Sequence, residues 1–211
     1  CVSVFREELT NLFPNALNAM RLQKQSYTLA EFLVEHAPDF EIPQLKRKAV
    51  VHGHCHHKAI MTLNAEQKLL DRLGLEYTLL DSGCCGMAGA FGYEKGAHYD
   101  VSMQCGERVL LPAVREASKD TLIITDGFSC REQILQTTDR GALHLAQVLQ
   151  MALRQDEQPT GAYPERSVPT SQDAAAQQAA ALRSAALVGG AALLTAGVVA
   201  WAVKRSRSRR K

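Results

Sequence analysis

Three short apolar runs in this 211-residue chain are each followed by a cysteine-bearing loop and then by a helical stretch. The runs and the cysteines that follow them are 49–51 with Cys55, 77–80 with Cys84 and Cys85, and 121–124 with Cys130. Alternating strands and helices of this kind predict an α/β fold with a parallel sheet. Because such sheets bind ligands beyond the carboxyl ends of their strands, we expect these cysteines to meet at one edge.

The adjacent cysteines Cys84 and Cys85 stand between Gly83 and Gly86. Two neighbouring thiols need an unusual backbone to lie buried together, and flanking glycines supply that freedom. A bridge between adjacent cysteines is a poor structural disulfide, so we interpret the thiols as ligands held in a reducing compartment. Soft metals and iron–sulfur clusters are bound by thiolates gathered in this way.

Three kinds of chemistry fit these thiols: an iron–sulfur cluster, a structural zinc site, and thiol–disulfide redox chemistry at Cys84 and Cys85. Zinc sites draw their ligands in close pairs such as C-x-x-C, and this sequence has none. An adjacent pair is compatible with a cluster, in which separate irons each take one thiolate. The residues favour a cluster and leave a zinc-binding interaction module and a thiol–disulfide protein open.

Four histidines surround Cys55, at positions 52, 54, 56 and 57. If the loop is extended, His54 and His56 lie on one side and His57 on the other. We interpret these histidines as hydrogen-bonding or proton-transfer neighbours of the thiols rather than as ligands. We also expect a helix to begin after Cys130, near Arg131, with its free N–H groups facing the thiolates.

The chain divides into segments of different composition. We predict a helical segment over 1–46, a cysteine-rich α/β domain over 47–154 closed by a helix at 142–154, and a flexible linker over 155–182. The formal net charge is only +2, and its basic excess lies in residues 204–211. A basic patch confined to one terminus does not indicate a nucleic-acid-binding protein.

Residues 184–203 carry no charged side chain. About 20 residues in a helix span about 30 Å, the thickness of a bilayer core. With Trp201 near one end and the basic tail beyond, the pattern predicts a transmembrane helix and a cytoplasmic, membrane-associated protein. The positive-inside rule would keep the basic tail cytoplasmic, whereas reduced thiols favour the cytoplasm for the cysteine domain too. A helix lying in the membrane plane is therefore an alternative.

Several strings resemble the cysteine-rich CCG domain of heterodisulfide reductase subunits and the glycolate oxidase iron–sulfur subunit. They are most like the C-terminal part of FAD-linked D-2-hydroxyacid dehydrogenases with a fused iron–sulfur region. The strings are His54-Cys55-His56-His57-Lys58, Asp81-Ser82-Gly83-Cys84-Cys85-Gly86-Met87-Ala88-Gly89 and Asp126-Gly127-Phe128-Ser129-Cys130. The resemblance covers about residues 1–153.

This resemblance implies a Rossmann-like domain that holds a [4Fe-4S] cluster through Cys55, Cys84, Cys85 and Cys130. It implies an oxidoreductase component that passes electrons from a flavin to a quinone or other acceptor. The flavin would oxidise a D-2-hydroxyacid of the lactate, glycolate or 2-hydroxyglutarate type. FAD is expected only on a missing N-terminal part or a partner chain, and this portion alone is expected to be inactive on substrate.

The opening string Cys1-Val2-Ser3-Val4-Phe5-Arg6 is similar to the segment that closes the first of two tandem repeats. On that basis residues 1–46 would close a preceding, missing repeat, and Cys1 is a further candidate ligand. The chain also departs from the family pattern, which often ends in C-x-x-C. Gly127 stands three residues before Cys130, so this repeat offers one fewer thiolate.

Overall fold

The computed structural model describes residues 2–154 and 161–168, which belong to one compact unit. The strands are β1 (Lys48–Val51), β2 (Glu76–Leu79) and β3 (Leu122–Ile124). The helices are α1 (Leu9–Leu12), α2 (Leu17–Gln25), α3 (Leu29–Glu31), α4 (Cys55–Ile60), α5 (Asn64–Arg72), α6 (Ala97–Glu107), α7 (Leu110–Glu116), α8 (Phe128–Thr137) and α9 (Leu145–Leu153). π-Helical turns Val4–Glu8 and Phe32–His36 adjoin α1 and α3, and 3-10 turns lie at Phe91–Tyr93 and Pro164–Ser167.

The three strands form a parallel sheet in the order β2-β1-β3. In register, Val51 of the central strand pairs with Leu79 on one side and Ile124 on the other. A further parallel bridge joins Ile124 to Leu143 beyond β3. The prediction of a mixed α/β fold with a parallel sheet is confirmed, and each strand lies within a residue or two of its apolar run.

Both faces of β3, and most of β1, are covered, which explains why these strands read as unbroken apolar runs, whereas the edge strand β2 is only partly buried. Side chains alternate between faces along each strand. Val51 and Ile124 belong to one apolar cluster, with α3, α5 and α9. Ile123 belongs to a second cluster, with α7 and α8, and this second cluster contains Cys85 and Cys130.

Two stretches that the sequence predicts as helical are each divided in two: 58–73, and 95–118, where Pro112 is the expected kink or break. The stretch 58–73 breaks between α4 and α5, where Thr62 adopts a φ of +63°. A left-handed residue of this kind interrupts helical hydrogen bonding. The stretch 95–118 divides before Leu110, and Pro112 falls in the first turn of α7, where the missing N–H costs nothing.

Helix α3 and the turn after it pack into the apolar cluster of the sheet. Leu33 shares the apolar cluster of β1, and Thr28 opens α3 with a capping box to Glu31. Arg6 reaches the two carboxylate oxygens of Glu31 at 3.2 and 3.3 Å. The segment that precedes the sheet is therefore held to the same unit by both apolar and charged contacts.

Residues 161–168, which we call the docked segment, lie at the edge of the sheet opposite the cysteine loops. Glu165 forms a buried ion pair with Arg140, whose Nε lies 2.8 Å from Oε1. Arg140 also donates to the carbonyl of Thr121, directly before β3, at 2.6 Å. The amino end of β3 and the docked segment are thus joined through one arginine.

The predicted linker 155–182 lies outside the described residues except for 161–168, where the structure has a 3-10 turn. The predicted transmembrane helix 184–203 and the basic tail 204–211 also lie outside them. Among the residues that are described, none of the helices has the length and apolar composition needed to cross a bilayer.

Candidate metal centre

The loops that follow the three strands bring cysteines to the same edge of the sheet. Cys55 is the first residue of α4, and Cys84 and Cys85 lie in the loop after β2. Cys130 lies in the first turn of α8, after the loop that leaves β3. Because all three strands run parallel, their carboxyl ends meet at this edge.

The adjacent cysteines sit in a turn that requires glycine on both sides. Gly83 has a φ of +63° and Gly86 a φ of +97°, a backbone region that other residues rarely adopt. A Cβ on Gly86 would lie 2.1 Å from the carbonyl oxygen of Ser102. The Gly86 N–H in turn donates to Cys84 Sγ at 3.3 Å.

The thiols fall into a half-exposed pair and a buried pair. Cys55 Sγ and Cys84 Sγ are 3.8 Å apart, and both residues are partly exposed. Cys85 and Cys130 are 2% and 0% exposed. Their Sγ atoms and a ring nitrogen of His52 all lie within 4.8 Å of one another. These five residues offer four sulfurs and one imidazole, a set that suits a soft metal.

The two buried thiols differ in pKa. A hydrogen bond from the Cys130 thiol lowers the pKa of Cys85 to about 4, against the opposing effect of burial and with help from His52. The same hydrogen bond, together with burial, raises the pKa of Cys130. Burial, aided by the neighbouring Cys55, raises the pKa of Cys84 to about 11. One thiolate is therefore favoured in the buried pair before any metal is bound.

A buried polar chain supports the helix that carries Cys55. His57 Nε2 lies 3.1 Å from Glu66 Oε1, and both side chains are about nine-tenths buried. Thr28 Oγ1 donates to the same Glu66 oxygen at 3.2 Å. Burial lowers the pKa of His57, but the hydrogen bond and charge of Glu66 outweigh it, so the pKa is raised. The amino-terminal helices are thereby linked to α4.

A small cavity of about 30 Å³ lies beside His52 and His54, on the α5 side of the sheet. Apolar side chains including Val51, Leu70 and Ile124 line part of it, and His57 and Asp126 line another part. A cavity of this size holds about two water molecules. Water can therefore approach the histidine side of the centre.

Two local expectations about this edge are wrong. The sequence predicts an extended loop from His54 to His57, but Cys55 already begins α4, so alternating sides do not apply to these histidines. The helix expected after Cys130 begins earlier, at Phe128, so Cys130 lies within its first turn. His54 and Gly127 are the last non-helical residues before these two helices.

The ligand roles of Cys55, Cys84, Cys85 and Cys130 stay predictions, although the structure gathers their sulfurs at one edge. Cys1 lies outside the described residues. The sequence groups His52 with the other histidines, yet it alone joins Cys85 and Cys130 in the part of the chain that the structure describes. Its position directly after an apolar strand was the available signal, because that is where ligands of parallel sheets arise.

Comparison with known proteins gives partial relatives. The chain is 37% identical over 110 residues to the C subunit of the anaerobic glycerol-3-phosphate dehydrogenase of Escherichia coli, covering 52% of this chain and 27% of the relative. It is 30% identical over 127 residues to D-2-hydroxyglutarate dehydrogenase of Pseudomonas putida, covering 59% and 12%. A D-2-hydroxyglutarate dehydrogenase of Pantoea ananatis is 30% identical over 83 residues, covering 39% and 8%.

No model of a known protein family matches the sequence, and no solved structure does. The chain spans about a quarter or less of the length of these curated relatives. All three relatives are dehydrogenases or a subunit of one. The chain is therefore a cysteine-rich protein related to components of dehydrogenases.

Proposed function

We propose that this chain is the iron–sulfur electron-transfer portion of an oxidoreductase. The observation that carries the proposal is the gathering of Cys55, Cys84, Cys85 and Cys130 from three loops at one sheet edge. The thiols in this set are all free, and thiolates are the usual ligands of such clusters. A bound cluster would supply one-electron transfer.

The residues around the sulfurs fit this role. Met87 and Ile134 belong to the apolar cluster that covers Cys85 and Cys130, which limits access of water to that pair. The Gly86 N–H donates to the sulfur of Cys84. A protein sets the reduction potential of a cluster through hydrogen bonds to the ligand sulfurs and through burial of the cluster.

The proposal extends to the parts beyond this chain. A flavin-containing domain or subunit would oxidise a D-2-hydroxyacid such as lactate, glycolate or 2-hydroxyglutarate, and a quinone or other carrier would accept the electrons. Residues 47–154 would form the cysteine-rich module, and 1–46 would close a preceding repeat that contributes Cys1. The two D-2-hydroxyglutarate dehydrogenases among the relatives support a D-2-hydroxyacid, whereas the glycerol-3-phosphate dehydrogenase subunit supports an oxidoreductase role alone.

The test is anaerobic purification of the chain followed by iron, sulfide and zinc analysis and by visible and electron paramagnetic resonance (EPR) spectra. We expect matching iron and sulfide, broad visible absorption and an EPR signal after reduction. Cys85→Ser and Cys130→Ser should lower iron content, whereas Cys105→Ser, a free thiol on α6, should not. Iron and sulfide both near zero in an anaerobic preparation would refute the proposal.

A zinc-binding module is a second candidate, favoured by the grouping of His52 with Cys85 and Cys130. Two thiolates and one imidazole are a typical donor set for zinc. This alternative predicts a colourless protein with about one zinc per chain and no sulfide. The same metal analysis separates the two candidates.

We also propose that residues 184–211 hold a cytoplasmic protein at a membrane. The support is compositional: an uncharged stretch followed by a basic tail that suits anionic headgroups. Deleting 184–211 should move the protein from the membrane fraction to the supernatant. If the deleted chain stays in the membrane fraction after a salt wash, the anchor lies elsewhere.

A further inference from the structure

We propose that His52 is a ligand of the metal centre, binding through Nε2 beside the sulfurs of Cys85 and Cys130. This inference rests on the proposed function, because it adds an imidazole to the thiolate set that would hold the cluster. It departs from the sequence-based interpretation, in which His52 is a neighbour of the thiols and not a ligand.

The backbone holds His52 in a fixed position. Its N–H donates to the carbonyl of Ile124 at 2.9 Å, so the residue continues the pairing of β1 with β3. Its side chain is enclosed, with the residue only 2% exposed. A histidine at this depth presents its ring to the edge of the sheet with little freedom to turn away.

The second ring nitrogen is held by a serine. His52 Nδ1 lies 2.5 Å from Ser82 Oγ, in the loop that leads to the adjacent cysteines. Metal-binding histidines almost always have such a partner on the nitrogen that does not bind, which sets the tautomer and the ring orientation. In the tautomer with its proton on Nδ1, the ring donates to Ser82 Oγ and the lone pair of Nε2 is free for a metal.

Nε2 of His52 is a buried polar atom without a hydrogen-bond partner among the described residues. Leaving a buried polar group unsatisfied is unfavourable, and a bound metal would give this nitrogen a partner. A ring nitrogen of His52 lies within 4.8 Å of the Cys85 and Cys130 sulfurs, and Nδ1 is occupied by Ser82. Atoms bound to one tetrahedral metal at about 2.0–2.3 Å lie about 3.5–4 Å apart, so small movements would complete the site.

Position 127 cannot supply the donor that His52 would provide. A Cβ on Gly127 would lie 2.5 Å from His54 Cδ2 and 2.8 Å from Cys130 Sγ. Contacts this short are not seen for real Cβ atoms, so a side chain there would displace the Cys130 sulfur. The loop after β3 therefore has no room for a further donor side chain at position 127 unless His54 or the Cys130 sulfur moves.

The test uses the full chain, purified anaerobically, with His52→Ala, His52→Cys and the matched control His56→Ala, whose side chain is 42% exposed. The main measurement is pulsed EPR of the reduced protein, which detects a nitrogen bound directly to the paramagnetic centre. We expect strong nitrogen coupling in the natural chain and in His56→Ala. His52→Cys should keep its iron, because it restores a thiolate donor, but should lose the nitrogen coupling.

The results separate this inference from the proposed function. If His52→Cys contains iron and sulfide and its nitrogen coupling is unchanged, His52 is not a ligand. The proposed function would still hold in that case, because the cluster is present. If the reduced centre gives no EPR signal, a Mössbauer spectrum of ⁵⁷Fe-loaded protein decides, because an iron bound by nitrogen differs from one bound by sulfur alone, and that difference should vanish in His52→Cys.

Zinc without iron would refute the proposed function but support the ligand, provided that His52→Ala lowers zinc at least several-fold and His56→Ala does not. Zinc content unchanged in His52→Ala would overturn the ligand role. A chain without any bound metal would overturn both proposals.

Discussion

The Sγ atoms of Cys55 and Cys84 lie 3.8 Å apart, although the two residues are separated by 29 positions in the chain. They come from the loops after β1 and β2, so their approach depends on the parallel pairing of those strands. The closeness of these two thiols gives a direct chemical test of the edge geometry.

We predict that mild oxidation of the metal-free protein links Cys55 to Cys84. Diamide would take two electrons and two protons from this pair, which is partly exposed, whereas a bridge between the adjacent Cys84 and Cys85 has poor geometry. Non-reducing peptide mapping should show the cross-loop disulfide, and Cys55→Ser should abolish it. A dominant Cys84–Cys85 bridge would mean that the loops separate when no metal is bound.

Gly86→Ala should lower the free energy of unfolding by about 2–4 kcal/mol, because a positive φ and a backbone clash combine there. The control is Gly83→Ala, which also has a positive φ but has no heavy atom within 4 Å of the added Cβ. Its cost should be about 1–2 kcal/mol. Urea titration of both variants measures the difference, and equal losses would contradict the close approach of Gly86 to Ser102.

Glu165→Ala should destabilise the unit by about 3 kcal/mol, because it leaves the buried charge of Arg140 without its carboxylate partner. The control is Glu107→Ala, which removes the partner of Arg115 in a pair whose side chains are 40% and 42% exposed. That change should cost less than about 1 kcal/mol. Thermal unfolding compares them, and a similar effect of both would show that the docked segment contributes little.

Glu66→Ala should cost about 2–3 kcal/mol, because Thr28 and His57 lose the buried acceptor they share. Since His57 lies on α4, alkylation of Cys55 in the metal-free protein should become faster in this variant. Glu94→Ala, which removes an exposed partner of His98, should change neither stability nor alkylation. Unchanged Cys55 reactivity in Glu66→Ala would show that α4 does not depend on this contact.

The sheet could be predicted from the sequence because strands buried on both faces leave unbroken apolar runs, as at Ala49 to Val51. Parallel pairing then followed from the alternation with helices. The start of α4 could not be predicted, because the inward position of His57 goes with its contact to Glu66 on α5, a tertiary contact. The local sequence around these histidines does not indicate that contact.

The same limit applies to the candidate metal centre. The cysteines were visible because adjacent thiols between glycines are rare, and their loops follow strands. The special position of His52 was not visible, since it depends on Ser82, which lies 30 positions away. Partners brought together across a sheet become apparent only when the register of the strands is known.

The docked segment fixes the position at which a chain shortened to end at Val168 would stop. Through Arg140 and Thr121 it is tied to the amino end of β3, whereas the thiols lie beyond the carboxyl ends of the strands. A purification tag or surface linker fused after Val168 would therefore emerge on the side away from the sulfurs. We expect a protein immobilised in this way on an electrode to keep its thiol edge turned outward, open to soluble redox partners.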